Sequence, residues 1–210
     1  MVIKTMDAPS DVARKEKMTF DEFLAWCDED TRAEWVNGEV EMASPVNKRH
    51  SDIGAFLATL LRLYVRRKQL GRVDNAPFLM RLPDVPSGRE PDILFIRREH
   101  LDRLRETYLD GAADLVVEII SPESIGRDRG EKFVEYERAG IAEYWLIDPD
   151  RRRAEFYRLD ARGMYRLIEP DAQGIYRSDV VEGFWLRVDW LWQEPLPLEE
   201  EVLREIRGQS

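Results

Sequence analysis

Apolar positions fall at helical spacing through one long stretch and in short continuous or alternating runs elsewhere, a pattern that predicts a mixed α/β chain. Between Lys48 and Leu70, the positions Ile53, Phe56, Leu57, Leu60, Leu61, Tyr64 and Val65 mark one face of the longest predicted helix, with Gly71 placed to stop it. A shorter helix begins at Thr19, where Thr19 and Glu22 make a capping box ahead of Phe20, Phe23, Leu24 and Cys27. Asn37-Gly38 separates extended runs at Ala33–Val36 and Glu39–Ala43, and it supplies the two positive φ angles of a type I′ turn, so a hairpin is predicted. Strands are expected at Phe78–Leu82 and Asp92–Ile96 around a loop from Pro83 to Gly88, with a helix near His100–Tyr108.

Leu115–Ile120 is almost continuously apolar and β-branched, as a strand covered on both faces would be. A helix over Arg127–Arg138, stopped by Gly140, leads to a strand at Glu143–Ile147 closed by Asp148-Pro149-Asp150. That order predicts a right-handed βαβ unit with parallel strands. Ala154–Leu159, Met164–Ile168, Tyr176 and Phe184–Val188 read as short antiparallel strands flanking this core, and Leu198–Ile206 as a closing helix. The expected organisation is a mobile leader over residues 1–17, one domain over 18–192, and an acidic C-terminal tail with a short helix over 193–210.

Composition narrows the chemistry. A chain of 210 residues with 43% hydrophobic and 10% aromatic content can bury a core as one domain. A single cysteine excludes an internal disulfide, and with only two histidines it excludes a Cys/His zinc cluster, so any metal must be held by oxygen. No run approaches the roughly 18 apolar residues of a membrane span, and the first residues lack a signal-peptide core, so a cytoplasmic location is expected. A formal net charge of −10 argues against binding nucleic acid through bulk charge. Local basic groups at Arg62, Arg66, Arg67 and Lys68, at Arg97 and Arg98, and at Arg151, Arg152 and Arg153 are either solvated faces or patches that override it. Trp185, Trp190 and Trp192 crowd one segment, as in an aromatic core or the interface of a homodimer, which is expected here.

Glu118 interrupts a strand that otherwise reads as fully buried, so it needs a metal, a cationic partner or a raised pKa. Asp92 follows Pro91 at the head of another strand, and its separation from Glu118 leaves room for one strand, a connection and a neighbouring strand. Two carboxylates side by side at strand ends form an oxygen site suited to Mg²⁺ or Mn²⁺. On the following helix Asp128, Lys132 and Tyr136 share a face, which makes Lys132 either an ordinary partner of Asp128 or a cation facing the site. Glu34, His50 and Tyr136 are accessory candidates. Gly126 to Lys132 lacks the glycine spacing and hydroxyl residue of a phosphate-binding P-loop, and Ser121 lacks a nucleophile's surroundings.

The ordered segments Met18-Thr19-Phe20-Asp21-Glu22-Phe23, Glu34-Trp35-Val36-Asn37-Gly38-Glu39-Val40, Ser44-Pro45, His50, Pro91-Asp92-Ile93 and Val117 to Pro122, with Asp128, Lys132, Tyr136 and Gly140 to Asp148, carry a likeness. Over about residues 18–190 the chain resembles the Uma-two domain family of restriction-endonuclease-like proteins. The resemblance implies an α+β mixed sheet with a restriction-endonuclease-like core, an N-terminal hairpin and additional C-terminal antiparallel strands. It also implies that Asp92 and Glu118 are the acidic metal ligands of a PD-(D/E)-x-K-like site. Ile120 stands where that pattern wants lysine, so Lys132 is read as the migrated replacement. The expected activity is Mg²⁺- or Mn²⁺-dependent hydrolysis of DNA, with Asp92, Glu118 and the Ile119 carbonyl holding the ion and Lys132 positioning a water for in-line attack. The rival is a non-catalytic binding or regulatory protein in which Glu118 and Lys132 form a buried ion pair.

Overall fold

A computed structural model describes residues 17–28, 31–121 and 124–208, so the expected leader lies outside the described residues apart from Lys17. In chain order, α1 (Phe20–Trp26) precedes a hairpin of β1 (Ala33–Val36) and β2 (Glu39–Met42), and α2 (Lys48–Lys68) follows. Next come β3 (Gly71–Asn75), β4 (Leu79–Leu82), β5 (Ser87–Arg89), β6 (Ile93–Arg97), β7 (Tyr108–Asp110) and β8 (Leu115–Ile119). Then α3 (Lys132–Ala139) leads to β9 (Glu143–Asp148), β10 (Arg153–Leu159), β11 (Tyr165–Leu167), β12 (Ile175–Arg177), β13 (Trp185–Arg187) and α4 (Glu199–Ile206).

The main sheet runs β11-β10-β9-β8-β6-β3, with β8 and β9 parallel and its other pairs antiparallel. Strand alternation divides its side chains between two layers. Ile93, Phe95, Leu115, Val117, Ile119, Trp145 and Ile147 face α2 and α4, while Leu94, Ile96, Val116, Ile120, Tyr144 and Leu146 face α3 and a second sheet. Each fully buried Ile or Leu contributes roughly 2 kcal/mol through area removed from water. The second sheet runs β2-β1-β5-β4-β7, so the expected hairpin is one edge of a five-stranded layer. Asn37 and Gly38 carry positive φ angles of 51° and 90°, as its turn requires. The Thr19–Glu22 capping box forms as well, and α1 buries Phe20 and Phe23 while Leu24 and Cys27 stay partly exposed.

Four expectations change. Gln69, not Gly71, ends α2 in the left-handed conformation at φ 55°, its N–H donating to the carbonyls of Arg66 and Val65. Gly71 opens β3, an unexpected strand, where a Cβ would stand 2.0 Å from the Ile96 carbonyl oxygen. The helix expected near His100–Tyr108 is a 3₁₀ segment over Arg98–Arg103, and Tyr108 belongs to β7. In the C-terminal tail, α4 buries Val202, Leu203 and Ile206 in the main core, so this part of the tail is packed. Trp190 is buried there, with Trp185 stacked on it at 5.3 Å and Trp192 packed against the same core. Of the three, Trp185 and Trp192 keep part of their surface exposed. No helix among the described residues is long and apolar enough to cross a membrane.

Candidate active site

Ile93 pairs with Val117 in the antiparallel β6–β8 ladder, which sets Asp92 beside Glu118. By alternation Glu118 lies on the face of Val116, the face that α3 covers, while Asp92, one residue before β6, stands at the end of the sheet and reaches His50 of α2. Asp92 is held at both oxygens, Oδ2 accepting the Ile119 N–H at 2.6 Å and Oδ1 lying 3.0 Å from His50 Nε2. Asn47 caps α2 by accepting the His50 N–H, which fixes the imidazole at the start of that helix. A residue in a strand presents its N–H and C=O to the same edge, so the Ile119 carbonyl faces the Asp92 side of β8.

Glu118 is buried, with 3% of its surface exposed, and its Oε1 accepts from Lys132 Nζ at 2.9 Å and from the Tyr136 hydroxyl at 2.8 Å. Lys132 also reaches Glu34 Oε1 at 3.0 Å and lies 3.7 Å from Asp128 Oδ1. Both residues of α3 get there from a helix that starts irregularly. Arg127–Glu131 forms a π turn in which the Lys132 N–H donates to the Arg127 carbonyl, and the Asp128 carbonyl accepts the Tyr144 hydroxyl at 3.0 Å. Asp92, Glu118, His50, Asp128 and Lys132 line a cleft of about 340 Å³ together with Arg32, Glu90 and Arg127.

The charges in this cleft do not balance around one ammonium. Burial pushes the Glu118 carboxyl up, with Lys132 opposing and Asp128, Asp92 and Glu34 adding to the rise. Burial also raises Asp128 and, together with the carboxylates Glu34 and Asp92, lifts Glu90 to about 7 against Arg32 and Lys132. Burial acts to depress Lys132, but Glu118, Glu34 and Asp128 outweigh it and hold the ammonium protonated. Glu34 resists burial because Lys132 and Arg89 draw it down to about 2. Tyr136 is raised well above the usual range by burial, so it remains a donor to Glu118.

This donor set fits a hard divalent cation. Asp128 Oδ1 is buried and accepts no hydrogen bond, which leaves one hard oxygen free in the cleft. No group of three or more Asp, Glu, His or Cys among the described residues converges as a ready-made cage. Mg²⁺ commonly needs only one or two carboxylates and keeps several waters, so Asp92, Glu118 and the Ile119 carbonyl are oxygens that could hold it.

All six residues singled out for the site meet here: Asp92, Glu118, Lys132, Glu34, His50 and Tyr136. Glu39 stays exposed on β2. Arg89, Glu90, Arg32 and Arg127 were not anticipated. Arg89 sits in a strand of three residues, too short for alternation to reveal it, yet it has no exposed surface. Of the basic groups, Arg66, Arg67 and Lys68 end α2 roughly 25 Å along its axis from His50, and Arg97 ends β6 at the opposite end from Asp92. Arg62 of the first group does reach the site's end, bonding Asn75 beside Ile93 and lining a cavity with His50 and Asp92, and Arg151, Arg152 and Arg153 sit beside the end of β9 that pairs Ile147 with Ile119.

The Uma2 family, described as "Putative restriction endonuclease", matches residues 20–189. The chain belongs to the Uma2 family. No curated protein matches it in sequence. Among solved structures, the Uma2 chain is similar to "a putative nuclease belonging to DUF820" from Anabaena variabilis ATCC 29413. The TM-score is 0.70 at 20% identity, covering 83% of this chain and 97% of that one. At that identity the likeness shows the fold, a mixed α/β arrangement with mixed sheets.

Proposed function

We propose that this Uma2 chain is a divalent-metal-dependent endonuclease that hydrolyses DNA phosphodiester bonds at the cleft between β6, β8 and α3, a core read as restriction-endonuclease-like. One observation carries the reading: Asp92 and Glu118 stand side by side at one end of neighbouring strands and line one cleft, and Lys132 meets Glu118 at 2.9 Å inside it. The residues that would hold the cation are Asp92, Glu118 and the carbonyl of Ile119, and a cation bound there supplies Lewis acidity toward a phosphoryl oxygen and acidifies water. Asp92 is presented in a fixed orientation by His50 and the Ile119 N–H. Lys132 brings a positive charge to the place where a fifth oxygen joins phosphorus, and this charge stabilises the transition state more than the ground state. Tyr136 donates to Glu118 and fixes the carboxylate plane. Arg32 and Arg127 in the cleft, with Arg151, Arg152 and Arg153 at the same end of the sheet, give phosphates a local landing that the overall charge does not.

A specific observation favours a second reading. Lys132 already bonds two carboxylates, as it would in a buried ion pair kept only for structure, and Ile120 fills the place of the usual lysine. Calorimetric titration with Mn²⁺, followed by cleavage assays on duplex, single-stranded, nicked and branched DNA at low salt, separates the two. Metal binding with Mn²⁺-dependent cleavage supports the nuclease. Absence of both leaves the ion pair as the account of Lys132.

A further inference from the structure

Lys132 has a second carboxylate, and it comes from the other sheet. Glu34 on β1 meets the ammonium through Oε1 at 3.0 Å, while its Oε2 accepts from Arg89 Nη1 at 2.9 Å and its Oε1 accepts the Glu90 N–H at 3.0 Å. Arg89 is in turn clamped by both oxygens of Glu135 at 2.8 Å and lies near Glu41 and Glu131. Glu34 is thus fixed from three directions by groups on β5, on α3 and on the backbone leading to Asp92. Nothing in the chemistry of the two metal-site carboxylates calls for so rigid a third one.

The need arises from where the lysine starts. A lysine two residues after Glu118 would enter along the sheet with its backbone held by the ladder, but Ile120 occupies that position and packs into the apolar layer. Lys132 instead spans from α3 on a flexible four-carbon stem, and its ammonium bonds Glu118, one of the two carboxylates proposed to hold the cation. With Glu118 as its only anchor, the lysine would compete with the cation or lose its place when the cation binds.

We infer that Glu34 is a positioning residue for Lys132, giving the ammonium an anchor separate from Glu118 so that the cation and the lysine occupy the cleft together. The inference rests on the proposed function, and it makes the small sheet part of the working site. Arg89 is the holder of that anchor, and Glu135 holds Arg89 without touching Lys132.

The test combines Mn²⁺ affinity by calorimetry with single-turnover and steady-state cleavage for Glu34→Gln, Lys132→Ala, their double variant and Glu135→Gln. In Glu34→Gln, Lys132 falls back on Glu118, so Mn²⁺ affinity drops about tenfold or more and kcat falls by a similar factor with KM unchanged. In the double variant, compared with Lys132→Ala alone, the loss of Mn²⁺ affinity disappears, because the competing ammonium is gone. Glu135→Gln weakens the hold on Arg89 and lowers stability, but it lowers Mn²⁺ affinity and kcat less than Glu34→Gln does, because Glu135 does not touch Lys132. Glu34→Asp keeps a charge for Arg89 while withdrawing it from Lys132, and it gives the same readout if the glutamine variant does not fold. An affinity loss that persists in the double variant, or equal rate losses in the Glu34 and Glu135 variants, overturns the inference and leaves the nuclease assignment standing. A wild type that neither binds Mn²⁺ nor cleaves overturns both.

Discussion

Replacing Arg89 with methionine should be among the most damaging single changes in this chain. The guanidinium has no exposed surface and meets Glu34 at 2.9 Å and Glu135 through two bonds of 2.8 Å. Methionine fills similar volume, so the main consequence is that Glu34, 6% exposed, and Glu135 lose a buried counter-charge. Removing one partner of a buried ion pair costs about 3–5 kcal/mol. Lys132 and, after it, Arg89 outweigh burial and draw the Glu34 carboxyl from 4.5 down to about 2, so removing Arg89 takes away one of the two cations that keep it ionised. For a chain of this length each kcal/mol shifts the midpoint by about 2–4 °C, so a drop of roughly 6–20 °C is expected. Because the folded pKa of Glu34 is depressed, its contribution is complete above the ordinary carboxylate range and is lost as pH falls from about 4.5 toward 2. The gap between wild type and variant should therefore narrow on acidification over that window. Urea denaturation followed by circular dichroism at pH 7 and at pH 3 measures both. A loss under 1 kcal/mol at pH 7, or a gap that widens toward pH 3, would refute the reasoning.

Asp92→Asn should fold but lose the rise in thermal midpoint that Mn²⁺ gives the wild type, about 2.7 kcal/mol at a hundredfold excess over Kd; equal calorimetric isotherms for the two proteins would remove Asp92 from the metal site. Lys132→Ala should leave Mn²⁺ affinity no weaker than in the wild type while lowering the cleavage rate about 10²-fold or more, read by single-turnover kinetics on a cleaved substrate. Gly71→Ala should destabilise the fold by about 2–4 kcal/mol, since its Cβ would collide with the Ile96 carbonyl oxygen at 2.0 Å; a change within 0.5 kcal/mol in denaturant titration would show that β3 shifts freely.

The site was legible where residue type and burial conflicted. Glu118 betrayed itself by interrupting an apolar strand, and Lys132 and Tyr136 by sharing a helix face, since both signals survive in a single sequence. The hairpin was legible because its turn needs backbone angles that few residues adopt. Of the second sheet, β4 was expected at Phe78–Leu82, but β5 and β7 were not, because at three residues each they are too short for a period of two to rise above chance. Edge strand β3 buries only Val73, so it carries no apolar pattern. Gly71 drew the helix stop to itself because glycine is the usual left-handed residue, whereas Gln69 takes that conformation and leaves the glycine to a close strand contact. Arg89 was invisible for a different reason: its significance lies in partners from β1, β2 and α3 that only the tertiary fold assembles.

The π turn over Arg127–Glu131 bears on how such proteins are recognised at all. A turn with i→i+5 bonding accommodates one more residue than an α turn, so it absorbs an insertion or deletion inside the helix and leaves the remaining turns in phase. Removing one residue from this turn would leave an α turn, shortening the separation of 14 residues between Glu118 and Lys132 by one while the helix beyond it keeps its phase. A pattern search written with a fixed gap from strand acid to lysine would pass over relatives whose helix lacks the extra residue. Superposing them by the Lys132–Tyr136 pair, which lies beyond the irregular turn, would keep them in register.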